Sequence, residues 1–372
     1  MLVAELVVLA LPGGPEFVDA LRRVWDDGNA AFPLDARYPP PLSRAVLDAV
    51  APAWIVDAGG EKVRRPGGRP VDDGDALVVA TSGSTGEPKA VVLTHDAVAA
   101  SAWATSDRLG VDAAFDVWLA CLPLAHVGGL SVVTRALVTE TPLTVLPGFD
   151  PDDVMESRAT LVSLVPAALR RIDPAPFRWI VLGGSAPPAA LPANVVTTYG
   201  MTETGSGVVY DGVPLNGVEV RVDQHGEIAL RGPMLLRAYR DGSDPKDRGG
   251  WLATGDLGAW DATVGRLTVH GRQGDLIITG GENVWPEPVE RVLLMHPGVA
   301  DVAVAGVEDA EWGHVVTAYV VPSDAGAIPT LDDLRAHTKS ELPAHCAPRH
   351  VVLVPAIPRT ALGKIRRSEL VA

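Results

Sequence analysis

The sequence predicts an α/β protein with a large N-terminal α/β domain, a β-rich subdomain and a small α+β C-terminal domain. Between about residues 110 and 185, short apolar runs (VWLACLPL, TPLTVLPG, TLVSLVP, WIVLGG) alternate with helical stretches, as in βα units with a largely parallel sheet. From about 205 to 270 the runs are short and separated by glycine turns, which is typical of a β-ribbon. After Arg272 a helix, two strands, a second helix and a strand form a separate pattern. We therefore expect domains at 1–272 and 273–372.

The first 110 residues contain clear element boundaries. Apolar residues at helical spacing in PEFVDALRRVWDDG predict a helix that ends at Gly28, and SRAVLDAVAP, after the proline-rich ARYPPPLS, predicts a second helix. The segment GGEKVRRPGGRPVDDGD predicts an exposed loop, and DALVVA a buried strand. Thr94 is expected to cap a third helix that Gly110 ends.

Composition excludes several classes of protein. The chain has 372 residues, 47% of them hydrophobic, and a net charge of -15, which disfavours non-specific binding to nucleic acid. No apolar run reaches the roughly 20 residues of a membrane span, and MLVAELVVLALPGG lacks the basic start of a signal peptide. Cys121 and Cys346 are far apart and predict buried free thiols. We expect a soluble cytoplasmic protein with a small-molecule substrate.

The strongest local signal is TSGSTGEPK, which follows the strand DALVVA directly. Hydroxyl side chains, two glycines and a lysine on one loop can form an anion-binding site, because successive N–H groups point at the ligand. The loop is not a Walker A motif, because proline precedes its lysine and alanine follows it. Taken alone, a cluster of serine, threonine and glycine is more often a polar turn than an anion site. The candidate phosphate-binding residues are Thr81, Ser82, Gly83, Ser84, Thr85, Gly86 and Lys89.

Four more motifs follow in order: YGMTETGSG at 199–207, TGDLG at 254–258, GRQGDLIITGGENVWPEPVE at 271–290 and PRTALGKIRRSEL at 358–370. With TSGSTGEPK, this set resembles the acyl-adenylate-forming superfamily of acyl-CoA synthetases, luciferase-like enzymes and adenylation domains. The resemblance implies the adenylate-forming enzyme fold and an AMP-forming ligase that uses ATP, Mg²⁺ and CoA. A carboxylate would attack the α-phosphate of ATP, and the acyl-AMP would then pass its acyl group to a thiol.

The same resemblance assigns roles within the nucleotide site. Glu203 would bind Mg²⁺, as a hard oxygen donor suits a hard ion, and Thr202 would touch the α-phosphate. Tyr199 would stack on adenine. Asp256 and Arg272 would hold the ribose. The turn of Gly183, Gly184 and Ser185 would line the other side of the base.

In this family the small C-terminal domain moves between two half-reactions. The resemblance makes Lys364 the catalytic cation of adenylation and places a hinge at 272–275, after which the GGENVWP loop would join the thiol tunnel. The sequence departs from the family pattern at Gly274 in the hinge and at Ala90 after the phosphate loop. The phosphate loop also begins early, at residue 81, so part of the usual N-terminal subdomain is expected to be missing.

The segment CLPLAHVGGLSVVTRAL, 121–137, bears on the acid substrate. It lacks the aspartate with which amino-acid adenylation domains bind the α-amino group, and it resembles the o-succinylbenzoate–CoA ligases of menaquinone biosynthesis. Their substrate has a second carboxylate, for which Arg135 is the candidate ligand, because guanidinium binds carboxylate bidentately. His126, Gly200 and Ser206 would line the pocket.

The residues themselves leave alternatives open. Arg135 can equally be a surface arginine of a helix, and His126 a packed core histidine. Another aryl- or acyl-CoA ligase and a stand-alone domain that loads a carrier protein are competing functions. A non-enzymatic binding protein would have lost Lys364, Glu203 or Asp256, and all three are present.

Overall fold

The computed structural model describes residues 3–81, 89–188, 190–324, 328–360 and 365–371. By their internal contacts these residues form two compact units. The first contains Met1–Gly184, Pro192–Val220 and Leu230–Leu252, and the second contains Ser185–Leu191, Arg221–Ala229 and Ala253–Ala372. No helix in the described ranges is both long and apolar enough to cross a membrane.

The first unit contains two seven-stranded sheets. One includes β1 (Leu6–Leu9), β2 (Ala30–Pro33), β3 (Trp54–Val56), β4 (Lys62–Arg64), β5 (Asp75–Thr81) and β6 (Lys89–Thr94). The other includes β7 (Trp118–Ala120), β8 (Leu143–Val145), β9 (Leu161–Leu164), β10 (Trp179–Leu182), β11 (Val195–Gly200), β12 (Gly207–Tyr210) and β13 (Val213–Pro214). Further along the chain are β14 (Glu219–Val222), β15 (Glu227–Arg231) and β16 (Ala238–Tyr239).

The first sheet has the order β16-β6-β5-β2-β1-β3-β4. Its strands β3, β1, β2 and β5 run parallel, whereas β6 returns antiparallel beside β5. The N-terminal strand β1 is completely buried, so MLVAELVVLALPGG contains a core strand of this sheet. The predicted loop after residue 58 contains the short exposed strand β4, because Lys62–Arg64 pairs with the edge strand β3.

The second sheet has the order β13-β12-β11-β10-β9-β7-β8. From β8 to β11 all neighbours are parallel, as the alternating apolar runs predict. The carboxyl ends of β10 and β11 therefore lie side by side, at the edge where α/β proteins bind ligands. Strand β12 then turns back antiparallel to β11.

The described residues of the first unit form six α-helices: α1 (Pro15–Asp26), α2 (Pro40–Val50), α3 (His95–Leu109), α4 (Val127–Val138), α5 (Pro151–Glu156) and α6 (Pro166–Leu169). Helix α2 begins inside the proline-rich stretch, because proline fits the first turn of a helix. The boundaries of α3 are as predicted: Thr94 Oγ1 accepts a hydrogen bond from Ala97 N at 3.1 Å, and Gly110 ends the helix with φ of 60°.

Most of the glycine-rich region after residue 205 forms a four-stranded sheet, as the β-ribbon pattern predicts, although β12 and β13 extend the second sheet and β16 joins the first. Its order is β14-β15-β17-β18, where β17 is Leu252–Asp261 and β18 is Arg266–Arg272. Strands β17 and β18 are antiparallel, and Asp256 lies opposite Arg272 in their register.

The C-terminal part has the predicted α+β pattern. Its elements are β19 (Ile277–Thr279), β20 (Glu282–Val284), α7 (Pro286–Leu293), β21 (Val299–Asp309), β22 (Gly313–Pro322), α8 (Leu331–Glu341) and β23 (His350–Leu353). The sheet order is β20-β19-β22-β21, and β23 pairs in parallel with β22. Apolar residues of α7, α8 and these strands form one buried core.

Candidate active site

The phosphate-loop candidates lie between the paired strands β5 and β6. Thr81 ends β5 and Lys89 begins β6, and the two residues are register partners. The hairpin therefore fixes both ends of the segment. Ser82, Gly83, Ser84, Thr85 and Gly86 lie outside the described residues, as does Lys364.

A chain of contacts connects Lys89 with the candidate metal ligand Glu203. Lys89 Nζ lies 5.1 Å from the ring centroid of Tyr239, a cation–π contact. The Tyr239 hydroxyl donates a hydrogen bond of 3.0 Å to Glu203 Oε1. Burial and the neighbouring Glu203 carboxylate raise the pKa of Tyr239, so it remains a donor. Tyr239 orients the carboxylate, and no sequence motif singled it out.

Thr202 and Glu203 occupy a short 3-10 turn directly after β11. The turn is fixed by Thr204, whose Oγ1 accepts a hydrogen bond from Met201 N at 2.9 Å and donates to Ser206 O at 2.6 Å. A side chain at Gly200 would collide with the carbonyl of Ser206, so the motif needs glycine there. Gly200 therefore shapes the backbone of the site.

The candidates for the adenine pocket lie at the adjacent ends of β10 and β11. Gly183 and Gly184 follow β10, and Tyr199 is near the end of β11. A Cβ at Gly183 would lie 2.6 Å from Thr198 Oγ1, so only glycine permits this approach, and Gly184 has φ of 87°. Ser185 follows in the chain.

In the second unit the two ribose candidates contact each other. Arg272 Nε donates to Asp256 Oδ1 at 3.1 Å. The carboxyl of Asp256 is nearly buried, whereas Arg272 is half-exposed. Asp256 N also bonds to Thr254 Oγ1 at 3.1 Å, which fixes the backbone. The pair presents a positioned carboxylate, as ribose binding needs.

His126 precedes α4 and meets a buried carboxylate that sequence reasoning missed. Its Nε2 lies 3.2 Å from Asp35 Oδ2, and Asp35 is 5% exposed. Arg37 holds the same carboxylate with its Nε at 2.8 Å and Nη2 at 2.6 Å. Despite its burial, these hydrogen bonds lower the pKa of Asp35. The imidazole thus lies beside an ionised group.

Arg135 lies on α4 and is 2% exposed, so the interpretation as a surface arginine is wrong. The guanidinium carbon is 4.7 Å from the ring centroid of Trp118. Within the described part of the chain, Arg135 Nε and Nη1 have no hydrogen-bond partner, nor does Trp118 Nε1. Burial lowers the pKa of Arg135, but a guanidinium stays protonated in proteins. Among the described residues, this buried cation contacts the face of Trp118, and its Nε and Nη1 have no acceptor.

A small cavity of about 10 Å³ lies beside α4. Ser131 and Thr134 line it, as do Ser101 and Gly205. Ser101 Oγ is hydrogen-bonded to Ser206 Oγ at 2.7 Å, so Ser206 lies immediately behind the wall. The cavity has room for one water molecule, and an aromatic acid would have to displace its lining side chains.

The chain belongs to the AMP-binding enzyme family. The family model matches residues 54–240, and the model of the AMP-binding enzyme C-terminal domain matches residues 288–364. Its fold is therefore the adenylate-forming enzyme fold, as the motifs predict, and its class is that of ATP-using, AMP-forming ligases.

Two relatives of this chain have names that state the acid on which they act. A Mycobacterium tuberculosis protein named "Probable 2-succinylbenzoate--CoA ligase" is 41% identical over 82% of this chain and 86% of its own. The 2-succinylbenzoate–CoA ligase of Geobacillus kaustophilus is 36% identical over 79% of this chain and 68% of its own.

Among solved structures, the o-succinylbenzoate CoA synthetase of Bacillus subtilis, in complex with its acyl-adenylate, has a TM-score of 0.86 at 28% identity. The match covers 98% of this chain and 88% of that one. The same enzyme is also known in complex with ATP and a magnesium ion.

Proposed function

We propose that this protein is an ATP-dependent ligase that joins 2-succinylbenzoate to CoA through an acyl-AMP intermediate, a step of menaquinone biosynthesis. Its family and the activities named for its relatives support the ligase class and the acid. ATP and CoA as co-substrates support a cytoplasmic location, and the net charge of -15 supports the absence of a nucleic-acid partner.

The observation that carries the choice of acid is the buried guanidinium of Arg135. A buried charge without partners is strongly unfavourable, and it is retained where a ligand supplies the counter-charge. A substrate with two carboxylates can react through one and pair with Arg135 through the other. Thr134 precedes Arg135 on α4 and lines the small cavity described above. We propose that this cavity enlarges to hold the acid.

The proposed reaction has two steps, adenylation of the acid and transfer of the acyl group to CoA. A carboxylate oxygen of the acid attacks the α-phosphate of ATP, the bond to the β-phosphate breaks, and pyrophosphate leaves. The CoA thiol then attacks the acyl carbonyl, loses its proton, and AMP leaves with the electrons of the C–O bond. Activation is needed because AMP is a far better leaving group than oxide.

The described residues fit this chemistry. Tyr239 occupies one oxygen of Glu203, so the other can coordinate Mg²⁺, which usually takes one or two carboxylates with phosphates and water. Mg²⁺ would neutralise phosphate charge during adenylation. Lys89, held over Tyr239, would add a cation at the phosphates. Thr202 would contact the α-phosphate.

The remaining roles follow the same proposal. Tyr199 and the turn Gly183–Ser185 would hold adenine, and Asp256 with Arg272 would hold the ribose. Lys364 would stabilise the transferring phosphate during adenylation. We propose that the domain boundary falls at 272/273 and that residues 272–275 are the hinge, where Gly274 can absorb a large change of φ and ψ.

A coupled assay tests the function. The purified protein is supplied with ATP, Mg²⁺, CoA and one acid from a panel of 2-succinylbenzoate, benzoate, hexanoate and several amino acids. We expect thioester formation with a large kcat/KM advantage for 2-succinylbenzoate. Adenylation of another acid would reject this substrate, and acyl-AMP formation without a CoA thioester would indicate a carrier protein as acceptor.

A further inference from the structure

Tyr239 and Lys89 lie on the same face of the first sheet. Strand β16 pairs antiparallel with β6, and Tyr239 is the register partner of Val91. Lys89 lies two residues before Val91 on β6, so it is the diagonal neighbour of Tyr239 on that face. This arrangement accounts for the distance of 5.1 Å between Lys89 Nζ and the centroid of the tyrosine ring. The sheet therefore holds the ring beside the lysine.

The segment that carries Tyr239 is fixed independently of the tyrosine side chain. Leu236 N donates a hydrogen bond of 2.7 Å to Glu203 O, which ties the segment to the 3-10 turn after β11. Arg237 donates to both carboxylate oxygens of Asp75, at 2.8 and 2.9 Å, and Asp75 is 3% exposed. Because these contacts use neither the ring nor the hydroxyl, a substitution of Tyr239 should leave the backbone in place.

The Tyr239 hydroxyl acts on the candidate metal ligand. It donates to Glu203 Oε1 at 3.0 Å, and both side chains are partly buried. A carboxylate that is held by a hydrogen bond to one oxygen presents the other in a fixed direction, and such outer partners strengthen metal binding. The same tyrosine therefore contacts two residues of the proposed nucleotide site, all three of them within the first unit.

We propose that Tyr239 is a positioning residue with two separable actions: its hydroxyl raises the affinity of Glu203 for Mg²⁺, and its ring holds Lys89 in place for the phosphates of ATP. The inference rests on the proposed function, because it requires a nucleotide with its metal ion as the ligand. One side chain would thus set the metal ligand and a phosphate-binding cation relative to each other without taking part in the chemistry.

Two substitutions separate these actions. Tyr239→Phe removes the hydroxyl and keeps the ring, whereas Tyr239→Leu removes both. Tyr210→Phe is the matched control, because it also removes a hydroxyl of the first unit that is hydrogen-bonded, in this case to Thr105 Oγ1 at 3.3 Å. Calorimetric titration with ATP in the absence of any acid measures binding while adenylation cannot proceed. Each protein is titrated with Mg²⁺ and again with EDTA, which gives the gain in ATP affinity that the metal provides.

The two variants should differ in a defined way. For Tyr239→Phe we expect the gain from Mg²⁺ to fall by at least about 10-fold, as for other groups that hydrogen-bond to metal ligands, and the Kd of metal-free ATP to be unchanged. Tyr239→Leu should lose the gain equally and also bind metal-free ATP about threefold more weakly, because the cation–π contact is absent. Tyr210→Phe should match wild type in both titrations.

A double substitution tests whether the hydroxyl acts through Glu203. In a Glu203→Gln background, Tyr239→Phe should cause no further loss of the gain from Mg²⁺, because groups that act as a unit are not additive. A further full loss there, or equal weakening of both titrations by Tyr239→Phe, would overturn the action of the hydroxyl. Equal binding of metal-free ATP by the Phe and Leu variants would overturn that of the ring.

The outcome does not depend on the acid, since none is present. A wrong choice of acid therefore leaves this test intact. A wild-type protein whose ATP binding does not respond to Mg²⁺ would instead reject the proposed function, and this inference with it.

Discussion

Two buried arginines, one in each compact unit, differ in how their charge is compensated. Arg135 in the first unit is 2% exposed and contacts the face of Trp118, but its Nε and Nη1 have no acceptor among the described residues. Arg367 in the second unit has 15% of its side chain exposed, two hydrogen-bond acceptors within 3.1 Å, of which one is a carboxylate, and a second carboxylate at 3.5 Å.

The contrast separates two uses of the same side chain. Arg367 is satisfied by the protein and joins segments of the fold, so its removal should be felt in the free protein. Arg135 has no acceptor for Nε and Nη1 among the described residues, and a buried cation that lacks acceptors lowers stability until an anion arrives. Replacing Arg367 should therefore lower the stability of the free protein. Replacing Arg135 should keep or raise that stability and weaken the binding of the acid.

The largest effect on stability is expected for Arg367→Met. It leaves Glu290 buried without its cation, and breaking a buried ion pair costs about 3–5 kcal/mol. Urea unfolding measures the loss, with Arg366→Met as control, for which we expect a change within about 0.5 kcal/mol. A loss as small as that of the control would mean that Arg367 is not a structural tie.

Arg135→Met should instead keep or increase the stability of the free protein. It replaces a buried guanidinium, whose Nε and Nη1 have no acceptor among the described residues, with an apolar side chain, and so removes the cost of keeping that charge out of water. Arg171→Met is the control, because Arg171 stacks on Phe149 at 5.0 Å from an exposed position. Substantial destabilisation by Arg135→Met in urea unfolding would show that the fold itself supplies the missing partner.

A smaller effect on stability is expected at Glu287, whose charge interacts with those of Asp275, Asp256 and Arg367. Burial raises the pKa of Glu287, and Asp275 and Asp256 add to the rise while Arg367 opposes it. Since the folded state binds this proton more tightly, the stabilising contribution is complete below the ordinary glutamate pKa and is lost as pH rises through the folded pKa. Glu287→Gln should stabilise the protein at pH 8 and by much less at pH 4.5, because the buried charge that it removes is present only at the higher pH. Equal stabilisation at both pH values, from thermal unfolding, would contradict the shift.

The smallest effect tests the helix behind the phosphate-loop strand. Thr94→Ala removes the side-chain acceptor of Ala97 N and should cost about 1 kcal/mol of unfolding free energy. Thr94→Ser retains the acceptor and serves as the control. Equal losses in the two variants would show that the hydroxyl cap is not what stabilises α3.

Much of this molecule could be predicted from its sequence because local patterns carried the information. The apolar runs predicted the parallel strands β7 to β10, and Thr94 and Gly110 predicted both ends of α3. The reaction class and the nucleotide-site residues were predicted from motifs whose members lie within a few positions of one another.

Contacts between distant segments could not be predicted in this way. Asp35 meets His126 and Tyr239 meets Glu203 only because the sheets bring their elements together, and no local pattern marks Asp35 or Tyr239. The burial of Arg135 did have a signal, since it is the single charged residue of the otherwise apolar α4 sequence VGGLSVVTRALV. Whether a cation on such a helix finds a partner depends on side chains from other elements.

The pairing of Arg135 with the substrate is tested by comparing acids with and without the second carboxylate, in wild type and Arg135→Met. The acids are 2-succinylbenzoate and its two monocarboxylate analogues, 4-oxo-4-phenylbutanoate and 2-butanoylbenzoate, of which one retains the reacting group. We predict that wild type prefers the dicarboxylate on the order of 10²-fold in kcat/KM, that Arg135→Met removes this preference, and that the KM for ATP is unchanged. A preference that survives in Arg135→Met would contradict the pairing of Arg135 with the substrate.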